Sequence, residues 1–155
     1  MKTIIGIDPD VDKSGCAMVD VAKRTIHLAS LRFPELLAFL ESRQDADLLV
    51  AIEGGWLNHS NWHVGYYNSP QRAAEIGRAT GRNHQVGILL AEWCEFKKIH
   101  YVIVKPLRKC WKGKEGKITH AELARLVPIK GARSNQEERD AALIAWSTAR
   151  LPWLK

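Results

Sequence analysis

No stretch of this 155-residue chain is both long and apolar. Its apolar runs are short and broken by charge, so no membrane-spanning helix is expected. Cysteine is scarce. Cys16, Cys94 and Cys110 are scattered, odd in number and form no CxxC. That excludes a disulfide framework and a zinc ribbon, and leaves reduced, buried or half-buried thiols in a cytoplasmic protein as the expectation. The N-terminal stretch Met1 to Asp8 meets a carboxylate before a secretory apolar region could form, so no signal peptide is expected. Internal repeats, long linkers and low-complexity segments are also missing. What remains is ordinary for a globular protein: 46% hydrophobic and 26% charged residues. The length predicts one domain over residues 1–155, with one core. A formal net charge of +6 leans toward a polyanionic partner, although such balances also occur in ordinary enzymes.

Patterning predicts three short strands first: Thr3 to Asp8, Gly15 to Asp20 and Arg24 to Ser30. The links between them are short, which favours antiparallel neighbours, and Asp10, Asp12, Ser14 and Gly15 supply the first turn. Pro34 opens a helix at its first position, with Leu36, Leu37, Phe39 and Leu40 inward. Leu48 to Glu53 is a continuous apolar run, the mark of a strand buried on both faces. A segment rich in Gly, aromatics and His follows, from Gly54 to Ser69. A long helix is predicted from about Gln71 to Lys98, interrupted by Gly77 and Gly81. His100 to Lys105 reads as a strand, and Pro106 to Gly116 as a basic loop. Thr119 with Glu122, and Ser134 with Glu137, match the capping-box pattern and open two helices, the second running to about Ala149. The order β-β-β-α-β-α-β-α-α implies an α/β mixed five-stranded sheet. Three strands would be antiparallel and two parallel, with helices on both faces.

Asp8 and Glu53 both end apolar strands. If those strands are parallel neighbours, their carboxylates emerge side by side. Glu137 and Asp140, three apart, share one helical face, and Asp140 borders the apolar face made by Ala141, Leu143, Ile144 and Ala145. Should that helix cross the same sheet edge, four carboxylates converge. Such a set repels itself unless a cation lies within it, and hard divalent ions take oxygen ligands of this kind. Taken singly, each acid has a structural explanation as a turn or cap residue.

These stretches resemble the RuvC-type Holliday junction resolvases of the RNase H-like (retroviral integrase) superfamily. The carrying residues are Ile4-Ile5-Gly6-Ile7-Asp8-Pro9, Leu49-Val50-Ala51-Ile52-Glu53 and Glu137-Glu138-Arg139-Asp140-Ala141-Ala142-Leu143-Ile144-Ala145. Gly77-Arg78-Ala79-Thr80-Gly81 looks like the family's glycine-containing helix, and Lys105-Pro106 followed by Lys117 like its strand end and basic segment. The resemblance implies that Asp8, Glu53, Glu137 and Asp140 hold two Mg²⁺ ions per active site, with Mn²⁺ able to substitute. It implies that Lys117 approaches the scissile phosphate, and that hydrolysis leaves a 5′-phosphate and a 3′-hydroxyl. It also implies branched DNA as partner, a role in DNA recombination and repair, and a homodimer whose two sites cut a two-fold-symmetric junction. The sequence departs from the family in two places. Asp10 stands where glycine is usual after Asp-Pro, and Glu137 where relatives use Asp or His. Glu138 could substitute, but lies about 100° around the helix.

Lys105, Arg108, Lys109, Lys112, Lys114 and Lys117 make a basic stretch suited to phosphate neutralisation. Trp111 is interleaved, and Gly113 and Gly116 are expected to keep it mobile. Trp56 and Trp62, in the aromatic segment after Glu53, are candidates for stacking on unpaired bases at a junction centre. The alternative is that they cover the core or a subunit interface. His59 and His63 have a spacing that could bind a metal if helical, but no third ligand is evident. Val86, Leu89, Leu90 and Trp93 form a candidate dimer stripe that is also needed against the sheet. The leading reading is thus a Mg²⁺-dependent endonuclease for branched DNA. The others are a nuclease of the same fold for RNA–DNA hybrids or flaps, and a catalytically silent branched-DNA binding module. An actin-like phosphotransferase also opens on Gly-Ile-Asp, but needs a second domain for which there is no room.

Overall fold

The computed structural model describes residues 3–44, 47–58 and 69–149. Its elements are β1 (Thr3–Asp8), β2 (Ser14–Asp20), β3 (Thr25–Leu31), α1 (Phe33–Glu41), β4 (Leu48–Glu53), α2 (Pro70–Phe96), β5 (Tyr101–Val104), α3 (His120–Leu126) and α4 (Gln136–Ala149). The strands form one sheet in the order β3-β2-β1-β4-β5. β1, β2 and β3 pair antiparallel, whereas β4 and β5 add on parallel to β1. This is the mixed sheet that the element order predicts.

Strand side chains alternate between faces. Ile5, Ile7, Val50 and Ile52 pack with Leu36 and Leu40 of α1 and Leu90 and Cys94 of α2. Ile4, Ala17 and Val19 pack on the other face with Leu123 of α3 and with Ala141, Ala142 and Ala145 of α4. Helices therefore cover both faces. By the same alternation, Gly6 and Asp8 of β1 and Glu53 of β4 belong to the α4 face.

Some boundaries move. α1 begins at Phe33, so Pro34 is its second residue, and Glu35 accepts from the N–H of the N-cap residue Arg32 (2.8 Å) and from its guanidinium (3.1 Å). β3 spans Thr25–Leu31, and β5 is shorter than expected at Tyr101–Val104. α2 runs unbroken through Gly77 and Gly81. A Cβ on either would meet nothing within 4 Å, so glycine here lowers helix propensity without breaking the helix. Leu90 faces the sheet and is fully buried, while Leu89 next to it is 44% exposed, which splits the proposed dimer stripe.

The largest correction concerns the start of α4. The cap is Asn135 with Glu138, not Ser134 with Glu137. The Glu138 N–H donates to Asn135 Oδ1 (2.8 Å), and the Asn135 N–H donates to Glu138 Oε2 (3.0 Å). Both pairs fit the sequence pattern, and packing chooses between them. A Cβ on Gly6 would lie 2.3 Å from the Ala141 carbonyl oxygen, and one on Gly15 2.0 Å from that of Glu137. The two glycines let the α4 backbone rest on the sheet, and that contact sets the rotation of the helix. Glu138 is thereby committed to the cap, and Glu137 is left for the sheet edge.

Cys16 and Cys94 are buried and Cys110 is exposed; all three are free thiols. Burial pushes the Cys16 and Cys94 thiols up to about 12. Among the described residues, no helix is long and apolar enough to cross a membrane.

Candidate active site

β1 and β4 are adjacent and parallel, with Ile7 beside Ile52. The next residue on each is a carboxylate, so Asp8 and Glu53 leave the sheet together, on the α4 face. There they open into a cavity of about 360 Å³. Asp8, Glu53, Glu137 and Asp140 all line it, and so does Lys117. The five residues proposed for chemistry thus share one cavity.

The electrostatics bear out the crowding. Burial holds the Asp8 carboxyl well above the usual carboxylate range, and the charges of Glu53, Asp140, Glu137 and Asp10 push it further. Glu53 is raised by burial and by Asp140, against the pull of Lys109 and Lys117. Asp140 is raised by burial, offset by a hydrogen bond from Gln136 and by Lys117, Lys109 and Arg139. Four partly buried carboxylates under mutual repulsion are a donor set that suits a hard divalent cation. Among the described residues, however, no three His, Cys, Asp or Glu side chains already stand in a closed ligand group. The donor chemistry fits, and the ligand arrangement is open.

Asp10 is a turn residue, as expected, but it also borders the cavity. The Asp12 N–H donates to Asp10 Oδ1 (2.8 Å), and the Asp10 N–H donates to Ser14 Oγ (3.1 Å). Asn83 of α2 clamps this turn. Its Nδ2 donates to Asp10 Oδ2 (3.0 Å), and its Oδ1 accepts from the Val11 N–H (3.0 Å). Sequence patterning missed Asn83, because a contact 73 residues away leaves no local trace.

The basic side is better braced than the sequence implies. The Trp111 N–H donates to the Gly116 carbonyl (3.0 Å) and the Gly113 N–H to that of Lys117 (2.9 Å). A 3₁₀ turn over Lys114–Gly116 closes the segment. Glu122 accepts from the Lys112 N–H (3.1 Å) while completing the α3 capping box with Thr119. The glycines therefore serve a folded turn: Gly116 holds a positive φ of 72°. Arg108 and Lys109 reach the cavity with Lys117, whereas Lys105, Lys112 and Lys114 are exposed beyond its lining.

Trp56 is half-buried and forms a cavity wall. Its ring lies over Gly87, where a Cβ would come within 2.6 Å of Cζ3. It meets His84 edge-on, with centroids 6.4 Å apart. His84, given no role from sequence, itself lines the cavity beside Trp56. Trp62, His59 and His63 fall outside the described residues. His120, also unassigned, shares a 2.8 Å hydrogen bond between its Nδ1 and Ser134 Oγ.

No known sequence family matches the chain, and neither does any curated protein. Ten chains of solved structures do match. One is T. thermophilus RuvC in complex with Holliday junction substrate. The match has a TM-score of 0.56 and 20% sequence identity, and covers 96% of this chain and 93% of that one. The sheet order, the strand directions and this match together give the chain the RuvC-like RNase H fold.

Proposed function

We propose that the chain is a divalent-cation-dependent endonuclease for branched DNA, with four-way junctions as its substrate class. The observation that carries this reading is the single cavity in which strand-end acids, α4 acids and lysines of the basic segment meet. Asp8, Glu53, Glu137 and Asp140 are the proposed ligands of two Mg²⁺ ions, for which Mn²⁺ substitutes. Bound there, such ions activate water and stabilise a leaving oxygen in phosphodiester hydrolysis. The chain's own groups do the rest. Lys117, half-buried beside the acids, offers positive charge to a phosphate seated in the cavity. Arg108 and Lys109 extend that charge to the rim, and Lys105, Lys112 and Lys114 continue it over the surface, a track for the flanking backbone. Trp56 lines the same space.

Further support comes from the fold shared with a protein solved on a Holliday junction. Two opposed cuts need two sites, so a homodimer of 155-residue single-domain protomers is part of the proposal. Leu89 and Phe96 of α2, 44% and 79% exposed, are apolar surface available to it.

The test is a cleavage assay in Mg²⁺ or EDTA on a four-way junction, a linear duplex, a flap and an RNA–DNA hybrid. Asp8→Asn and Asp140→Asn are the controls. Paired, metal-dependent nicks confined to the junction and lost in both variants are expected. Cleavage of the flap or hybrid instead would keep the site and change the substrate. Tight junction binding without cleavage in any metal would leave a binding module.

A further inference from the structure

The first turn of α4 carries a chain of hydrogen bonds that no sequence pattern announces. The Arg139 guanidinium donates from Nε to the Ile118 carbonyl (2.9 Å) and from Nη2 to Gln136 Oε1 (2.8 Å). Its Nη1 donates to the Ser134 carbonyl. The Gln136 amide then donates from Nε2 to Asp140 Oδ1 (2.7 Å). Gln136, Arg139 and Asp140 are half-buried, and Gln136 lines the cavity with Asp140. Ile118 is buried and directly follows Lys117. One guanidinium thus grips the backbone next to the basic residue and, through one amide, the acid opposite.

The direction of this chain matters. A side-chain amide has a donor end and an acceptor end. Arg139 has only donors, so it fixes Oε1 toward itself and leaves Nε2 toward Asp140. The spacing of 136, 139 and 140 puts all three on neighbouring positions of one helical turn. Every hydrogen bond from Arg139 goes to an uncharged acceptor. Its hydrogen bonds orient the turn, and its charge reaches Asp140 only through space.

We propose that Arg139 and Gln136 are a positioning pair, which fixes the orientation of Asp140 and its separation from Lys117 and so sets the site's affinity for a divalent cation. The inference rests on the nuclease reading above. It adds two residues to which patterning assigns no role, and a cause for the geometry of one acid. Partners that orient a metal-binding carboxylate typically contribute tenfold or more to metal affinity.

The experiment is calorimetric titration of Mn²⁺ into wild type, Arg139→Lys and Gln136→Leu. It runs beside junction binding in EDTA and junction cleavage over a range of Mn²⁺. Arg139→Lys keeps the charge but cannot reach three acceptors at once, so it separates orientation from electrostatics. Both variants are expected to bind the junction in EDTA as wild type does. Both should lose about tenfold in Mn²⁺ affinity and recover cleavage at raised Mn²⁺. Equal Mn²⁺ affinity in all three proteins overturns the positioning pair and leaves the nuclease reading standing. A wild type that binds no Mn²⁺ and cuts nothing overturns both, and the wild-type curve alone identifies that case. If Arg139→Lys fails to fold by circular dichroism, Gln136→Leu decides, because it removes only the last link.

Discussion

The two faces of the sheet are packed by different rules. On the α4 face, backbone meets backbone: Gly6 and Gly15 have no side chain to hold off the helix, and α4 answers with Ala141 and Ala145. On the other face, Ile5, Ile7, Leu36, Leu40, Ile52 and Leu90 fill the space. α2 buries only Gly87, Leu90 and Cys94, all in its C-terminal half. Interlocked backbones leave no rotamer to adjust, whereas aliphatic side chains can repack around small shifts. The helix that brings Glu137 and Asp140 is the one held without slack. Tolerance in this molecule is spent on the side away from the acids.

Four experiments would break or sharpen that contrast. The largest effect is expected from Asp8→Asn, which should reduce metal-dependent cleavage to background in initial-rate assays on a four-way junction. Next comes Gly15→Ala. Its new methyl would press on the Glu137 carbonyl, and chemical denaturation should show a loss of about 1–3 kcal/mol. Cleavage should fall with it, since Glu137 must move. An unchanged midpoint would mean that α4 has more room than its contacts imply.

The third concerns pH. Asp8, Glu53 and Asp140 all hold raised pKa values in the fold, with burial the first cause of each. Unfolded, such carboxyls titrate near 4. Below about that pH both states are protonated, and the raised values cost the fold nothing. As pH climbs through the folded values, the native state alone has kept its protons and must give them up, so stability falls. Denaturation in EDTA between pH 5 and pH 8 should therefore show wild type losing stability that Asp8→Asn retains. Added Mg²⁺ should narrow the gap at the upper end. The smallest effect is expected from Gly77→Ala on α2, where nothing stands near the new methyl. It should stabilise by up to about 1 kcal/mol, through helix propensity. A loss instead would show that this half of α2 lies against another surface in solution.

Much of this candidate site is legible in the sequence. Asp8 and Glu53 were visible because an apolar run that stops at a carboxylate marks a strand end at a polar edge. Glu137 and Asp140 were visible through helical spacing. The cap before them was not, because Ser134-x-x-Glu137 and Asn135-x-x-Glu138 satisfy the same local rule. Only the contacts of Gly6 and Gly15 with α4 break the tie. Asn83, Gln136 and Arg139 escaped for a related reason. Their hydrogen bonds reach Asp10, Asp140 and Ile118 through side chains with no periodic signature, two of them across 73 and 21 positions of sequence. The mobility expected of the basic loop rests on its glycines alone. Its bracing comes from Glu122 on the following helix.

The contrast between the thiols has a practical side. Cys16 and Cys94 lie inside the core, while Cys110 is exposed between Lys109 and Trp111 on the segment that borders the cavity. A maleimide dye added to the unmodified protein should therefore attach at one position, next to the place where substrate is proposed to sit. The wild-type sequence already carries its own fluorescent reporter position, with no cysteine to add or remove.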